Sequence, residues 1–175
     1  MLQRIDLLTL EESVAAPTGI VYSTSPQKAA REDGTEFFVK GPDPTVVFPE
    51  LAGCLLASAV GLVVAPVAVC CFDGTVYCGS QKVADLGRNV GPWLRNPARV
   101  TNHGDLFSMV VVDVWLANKD RNEGNVLARP TADRRTVEFV MIDFEKSVAL
   151  GPTPTVLSPT VRRSRCGPPV IWDVQ

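Results

Sequence analysis

From Leu51 to Phe72 the chain runs for 22 residues without a charged side chain (LAGCLLASAVGLVVAPVAVCCF). A stretch of that length is long enough to cross a bilayer, and otherwise must lie inside a protein core. Its punctuation favours the core. Gly61 and Pro66 interrupt it, Glu50 and Asp73 bound it, and no Lys or Arg stands at either edge to orient a membrane span. The run reads as a buried helix, Glu50 to Val60, stopped at Gly61, followed by a buried strand from about Pro66 to Phe72. No membrane association is expected.

Two Asp-Gly pairs organise the sequence around that core. Asp33-Gly34 separates Gln27 to Glu32 from the alternating Thr35 to Lys40, and Asp73-Gly74 separates Val67 to Phe72 from Thr75 to Cys78. Asp-Gly favours a two-residue hairpin turn because both central positions need positive φ, so two hairpins are expected with the helix between them. Val83 to Asn102 is rich in Gly, Pro and Asn and reads as a connector with short helices at most. Leu106, Phe107, Val110, Val111, Val114 and Trp115 then recur at 3-4 spacing, which predicts an amphipathic helix over Asp105 to Asn118, with Asn102 or Asp105 available as its cap. A polar loop, Lys119 to Asn125, leads to a strand at Val126 to Arg129, a charged turn, and an apolar strand at Val137 to Ile142. Gly151 onward is Pro-, Thr- and Arg-rich without a period; its Arg162, Arg163 and Arg165 read as a solvated basic cluster.

Composition removes several function classes. Seventeen Lys and Arg against 19 Asp and Glu leave a net charge of −2, which provides no electrostatic footprint for general nucleic-acid binding. One histidine, His103, excludes an HExxH or multi-histidine metal site. The five cysteines, Cys54, Cys70, Cys71, Cys78 and Cys166, are odd in number, lack a CxxC pair and lie mostly in apolar runs. They read as small core residues of a reduced, cytoplasmic chain. Met1 to Leu10 lacks the basic start and continuous apolar stretch of a signal peptide.

Chemistry is left mainly to carboxylates, lysines, amides or thiols, and five of the carboxylates, lysines and amides stand at the ends of apolar elements. Lys40 closes a strand and Glu50 opens the next helix. Asp120 and Asn125 lie in the loop after a helix, and Asp143 ends a buried strand. Phosphoryl transfer uses such a set: a lysine on the nucleotide phosphates, a helix glutamate holding it, an Asp orienting the hydroxyl nucleophile, and an Asn and a second Asp as oxygen ligands to magnesium. Taken singly, Asp120 and Asn125 read equally well as turn formers, Lys40 as a solvated strand end, and Glu50 as a charge that suits a helix N-terminus.

The string Trp115-Leu116-Ala117-Asn118-Lys119-Asp120-Arg121-Asn122-Glu123-Gly124-Asn125-Val126-Leu127, followed by Val140-Met141-Ile142-Asp143-Phe144, resembles the catalytic and metal-binding loops of HipA-like kinases and, more distantly, of phosphatidylinositol kinases. Phe38-Val39-Lys40-Gly41, Glu50-Leu51-Ala52-Gly53, Ala57 and Gly61 to Pro66 are similar to the N-lobe of that family. The resemblance covers roughly Gly19 to Leu150. It implies an α+β, two-lobed protein-kinase-like fold, with a β-rich N-lobe over residues 1–84 and a reduced, mainly helical C-lobe over 85–175.

It further implies an ATP- and Mg2+-dependent kinase whose acceptor is a protein Ser or Thr hydroxyl. Lys40 would contact the α and β phosphates, Glu50 would pair with Lys40, and Asp120 would orient or deprotonate the acceptor. Asn125 and Asp143 would hold magnesium. Ser23, Thr24 and Ser25 stand where the phosphate-covering loop belongs, and the Gly79 to Val83 segment, with Gln81 and Val83, would meet adenine. Three positions depart from the pattern: Asn122 replaces a frequent histidine, no GxGxxG loop exists, and Glu145 stands where a glycine would follow Asp143-Phe144. Only 32 residues follow Asp143, so the helical lobe is expected to be abbreviated. The alternative is a catalytically inactive nucleotide-binding or protein-interaction module with the same fold. Asp113, placed among valines in the predicted helix, is expected on the polar side or paired with a basic residue such as Arg121.

Overall fold

The computed structural model describes residues 3–13, 26–83 and 90–147, together with the short strand pieces 160–161 and 172–173. Among these, strands β1 (Gln3–Asp6), β2 (Thr9–Ser13), β3 (Gln27–Ala30), β4 (Glu36–Lys40), β5 (Val67–Phe72) and β6 (Thr75–Gln81) form one sheet in the order β1-β5-β6-β4-β3-β2. Helix α1 (Pro44–Ala59) links β4 to β5. Downstream lie the short helix α2 (Gly91–Leu94), the long helix α3 (Asp105–Leu116), and the antiparallel hairpin β7 (Val126–Pro130) and β8 (Val137–Met141). Strands β9 (Thr160–Val161) and β10 (Trp172–Asp173) pair with each other. The fold is mixed α+β, a β-rich lobe followed by a small helical one.

Strand alternation sorts the sheet into two faces. Phe37 and Val39 of β4, Ala68 and Cys70 of β5, Ala29 and Ile5 are buried in one cluster on one face. Lys40, displaced by one residue, falls on the other face, in register with Cys78 of β6. Burial of α1 centres on Pro49, Glu50, Gly53, Cys54 and Ala57. Cys54 and Ala57 belong to a second cluster with Leu62, Met109, Val112, Leu116, Val126, Phe139, Met141 and Phe144. Helix α1 thus packs with the α3 and β7–β8 elements, and Lys40 faces the region where the lobes meet.

The uncharged run folds much as its punctuation predicts, and no helix among the described residues is long and apolar enough to cross a membrane. Gly61, with φ +91°, ends α1; its N–H donates to Ser58 O at 3.0 Å and the Leu62 N–H to Ala57 O at 3.1 Å, a Schellman closure. The helix begins earlier than Glu50. Asp43 caps it by accepting from Thr45 N at 2.8 Å, Pro44 occupies its first turn, and Pro49 is tolerated inside it. The internal proline makes Glu50 look like the start.

Asp73-Gly74 forms the predicted two-residue turn, with φ of +47° and +73° and Phe72 opposite Thr75. Asp33-Gly34 does not. Ala30 pairs with Glu36, and the loop between them is closed by Arg31 N to Thr35 O at 3.0 Å and by the Asp33 carboxylate accepting from Thr35 N. Strands β1 and β2 add to the two hairpins that the sequence predicts; β1 joins the sheet parallel to β5.

Helix α3 corrects two expectations. Neither Asn102 nor Asp105 caps it: Gly104 takes the cap position without a side-chain bond, and Asp105 is the first helical residue. Asn102 instead pairs with strand β8, accepting from Phe139 N at 2.8 Å and donating to Phe139 O at 2.9 Å. The 3-4 stripe expected on the core face points mostly outward: Phe107 is 76% exposed and Trp115 71%, with Val110, Val111 and Val114 about half exposed. Met109, Val112, Asp113 and Leu116 form the buried side. The helix is apolar nearly all round, so its stripe cannot tell inside from outside.

Strand β8 joins the lobes. One edge pairs with β7; the other receives Ala65 N on Met141 O at 3.1 Å, and Met141 N donates to Val63 O at 2.9 Å. The turn between α1 and β5 is thereby fixed to the strand that delivers Asp143.

Candidate functional site

Lys40, at the end of β4, and Glu50, in the second turn of α1, meet as the sequence suggested. The Lys40 Nζ lies 3.4 Å from Glu50 Oε2, 2.9 Å from Asp143 Oδ1 and 3.1 Å from Glu145 Oε2. Glu50 and Glu145 are each 1% exposed. Burial by itself would lower the lysine pKa, but the charges of Glu50, Asp143 and Glu145 outweigh it and hold the pKa well above the usual lysine range. Burial raises the Glu50 carboxyl pKa, with Lys40 opposing and Asp143 adding to the rise.

Glu50 does a second job. Its Oε2 accepts the Phe144 N–H at 2.9 Å, which ties α1 to the backbone just after Asp143. Asp143 itself has φ +68°, a left-handed turn off the end of β8. Phe144 is fully buried against Gly53, where an added Cβ would meet the Phe144 Cβ at 2.4 Å. Only glycine at position 53 lets the helix approach this closely. Asp143 and Glu145 flank Phe144, and both carboxylates reach Lys40 while the aromatic ring fills the core.

The loop after α3 is braced from within. Ala117 closes the helix with φ +48°, and Asn118 N donates to Asp113 O at 2.8 Å. Arg121 turns back onto Asp113 through Nε to Oδ2 at 2.8 Å and Nη2 to Oδ1 at 3.2 Å, and Asn118 Nδ2 donates to the same carboxylate at 2.9 Å. Arg121 Nη1 also donates to the Asn125 carbonyl at 3.0 Å and to the Ile142 carbonyl, and its guanidinium lies 4.6 Å from the centre of the Phe144 ring. One partly buried arginine therefore joins the helix, the Asp120 loop and the strand end that carries Asp143. Asp113 pairs with a basic residue, as anticipated.

Asn125 is buried, and its Nδ2 donates to the Asp120 carbonyl at 2.7 Å. Ile142 N donates to Asn125 O at 3.1 Å, which brings the Asn125 and Asp143 backbones to the same end of the β7–β8 hairpin. The Asp120 carboxylate makes no hydrogen bond or ion pair among the described residues and is half-buried. Asn122, in place of the frequent histidine, caps the short 3-10 turn Glu123–Asn125 by accepting from Gly124 N at 2.8 Å.

Gln81 ends β6, with its N–H bound to Pro66 O at 2.8 Å, and Lys82 N donates to Glu36 O at 3.0 Å. Val83 follows, half-buried. Ser23, Thr24 and Ser25 lie outside the described residues. The acidic atoms brought together most tightly are those of Glu50, Asp143 and Glu145, all within 4.8 Å of one another. Glu145 is the member that sequence reasoning treats only as a departure. No local pattern marks it: Asp143 leaves β8 in a left-handed conformation with φ +68°, so strand alternation does not extend to the residues that follow.

No protein-family model matches the chain, and no curated protein matches it. Among solved structures, the chain is similar to the crystal structure of a Helicobacter pylori proinflammatory kinase, CtkA, at a TM-score of 0.55 and 17% identity, over 83% of this chain and 60% of that one. At that identity the likeness bears on the fold: a two-lobed, protein-kinase-like architecture. The chain spans less than two thirds of that kinase's length.

Proposed function

We propose that this chain is an ATP- and Mg2+-dependent phosphotransferase of the HipA-like kind, passing the γ-phosphate to a protein Ser or Thr hydroxyl. The observation that carries the reading is the triple juxtaposition at Lys40: a strand lysine held between a helix glutamate and the aspartate after β8, next to a braced Asp-to-Asn loop. The kinase-like fold supports it. In this reading the nucleotide lies between an N-lobe of residues 1–84 and a C-lobe of 85–175, in the cytoplasm.

Lys40 would neutralise phosphate charge, and Glu50 would keep it aimed. The donor set suits a hard cation that prefers oxygen: Asp143 offers a carboxylate, and Asn125, whose Nδ2 is engaged by Asp120 O, offers its amide oxygen. A magnesium ion bound there would supply charge neutralisation on the phosphates. The uncommitted Asp120 carboxylate would accept the proton of, or orient, the attacking hydroxyl. Ser23, Thr24 and Ser25 would cover the phosphates, and Gln81 and Val83 would border adenine.

A second reading, a nucleotide-binding or protein-interaction module without turnover, is favoured by the extra carboxylate of Glu145 on Lys40. One experiment separates the two. With γ-labelled ATP and magnesium, the wild-type chain should label itself or a generic protein acceptor. Asp120→Ala and Asp143→Ala should each reduce labelling by at least about a hundredfold, as loss of a general base or a charge-stabilising group does. Nucleotide binding without transfer in the wild type would select the module, and full activity in both variants would remove Asp120 and Asp143 from these roles.

A further inference from the structure

Lys40 has more anionic partners than its proposed task requires. A lysine that must bind nucleotide phosphates needs one carboxylate to aim it, and Glu50, fixed in α1 and tied to Phe144 N, already does so. Glu145 adds another at 3.1 Å, closer than Glu50, from a side chain 1% exposed. Its second oxygen, Oε1, lies 3.6 Å from Lys146 Nζ. The backbone of Phe144 between Asp143 and Glu145 is held by Glu50, and its ring is buried, so both flanking carboxylates are presented to the lysine by a rigid turn.

Three carboxylates face Lys40, and among the described residues only Glu145 has a second ammonium beside it, that of Lys146, so the cluster holds one carboxylate more than its ammonium groups where screening by water is weak. A polyphosphate arriving there meets repulsion and must also compete for a cation that is already held. Resting on the phosphotransferase reading above, we infer that Glu145 is a positioning residue that withholds Lys40 from nucleotide phosphates. Nucleotide affinity is then set by competition between Glu145 and the phosphate chain for one ammonium. Glycine at this position would leave Lys40 to Glu50 and Asp143; glutamate gives it a third carboxylate.

The test is calorimetric titration of the full chain and of Glu145→Gln, which keeps the shape and removes the charge. The probes are a non-hydrolysable ATP analogue and adenosine, each with EDTA or with magnesium. Metal-free binding of the ATP analogue should tighten about tenfold in Glu145→Gln, since one charge is removed from a poorly screened site. Adenosine, which has no phosphate, should bind both proteins alike. In a Lys40→Met background, the same glutamate substitution should shift the ATP analogue less than about twofold, because the effect passes through the lysine.

An unchanged affinity for the analogue overturns the inference. So does equal tightening for adenosine, which marks a merely structural effect, and so does a full-sized shift without Lys40, which marks direct repulsion. Weakening confined to the magnesium titration also overturns it, making Glu145 a cation ligand instead. Wild-type protein that binds no nucleotide under either condition defeats the phosphotransferase reading and this inference with it; nucleotide binding indifferent to Glu145 defeats the inference alone.

Discussion

Arg121 shows how much one residue can organise. It is about a tenth exposed, forms a two-point ion pair with Asp113, and bonds two carbonyls from separate elements. A buried pair of this kind adds little net stability over an apolar pair, but removing one partner strands the other charge in the core. Asp113→Ala is therefore expected to cost about 3–5 kcal/mol in urea unfolding. A loss under about 1 kcal/mol would mean that Arg121 finds water or another partner. The pairing is partly legible in the sequence, because an Asp among valines requires a partner. What cannot be read there is that the same guanidinium also reaches Asn125 and Ile142, since those carbonyls approach it only when the β7–β8 hairpin folds back.

At the scale of elements, α3 separates what periodicity can show from what it cannot. Its stripe of Phe107, Val110, Val111, Val114 and Trp115 predicts a helix correctly, and the wrong face. A 3.6-residue period signals a helix wherever apolar residues repeat on one side, but on a helix apolar all round the buried side is set by neighbours. Here Met109, Val112 and Leu116 pack with the hairpin and α1. The two sides can be told apart by adjacent valines. Val112→Ala should destabilise by about 1–3 kcal/mol through lost burial and a residual cavity, and Val111→Ala by less than about 0.5 kcal/mol. Equal losses in thermal or urea unfolding would show that the outward stripe is covered in solution. Helix α1 carries the complementary lesson: its end at Gly61 is legible from glycine chemistry, whereas its start is obscured because Pro49 suits a helix boundary better than a helix interior.

For the whole molecule, the buried thiols set a response to pH. Burial holds Cys54 and Cys78 far above the ordinary thiol value of 9.0, and raises Cys70 to about 11. A group with a raised pKa keeps its proton in the folded chain after the unfolded chain has released it. The stability this represents is complete below pH 9.0 and is lost as pH rises through the folded values. Lys40, also raised, acts with the same sign from its ordinary 10.5 upward. The urea midpoint should fall steadily between pH 9.0 and about 11, and Cys78→Ala should flatten that fall. A midpoint that is constant or rises across this window would place the thiols in contact with solvent.

Much of this protein is decided along the chain itself. Gly61, the Asp73-Gly74 turn and the uncharged run from Leu51 to Phe72 act over a few residues, through backbone freedom and hydrophobicity, so neighbours alone determine where these elements stop, turn and hide. The order of Lys40, Glu50, Asp120, Asn125 and Asp143 at element ends is likewise visible in sequence. Their meeting is not, because Lys40 and Asp143 are 103 residues apart and touch in a fold where β8 is bonded to the turn beyond α1. Tertiary structure alone assigned Glu145 to Lys40, turned the Phe107 stripe outward, and made Arg121 a junction. Each of those outcomes depends on which surfaces face each other across the fold, and no local pattern carries that information.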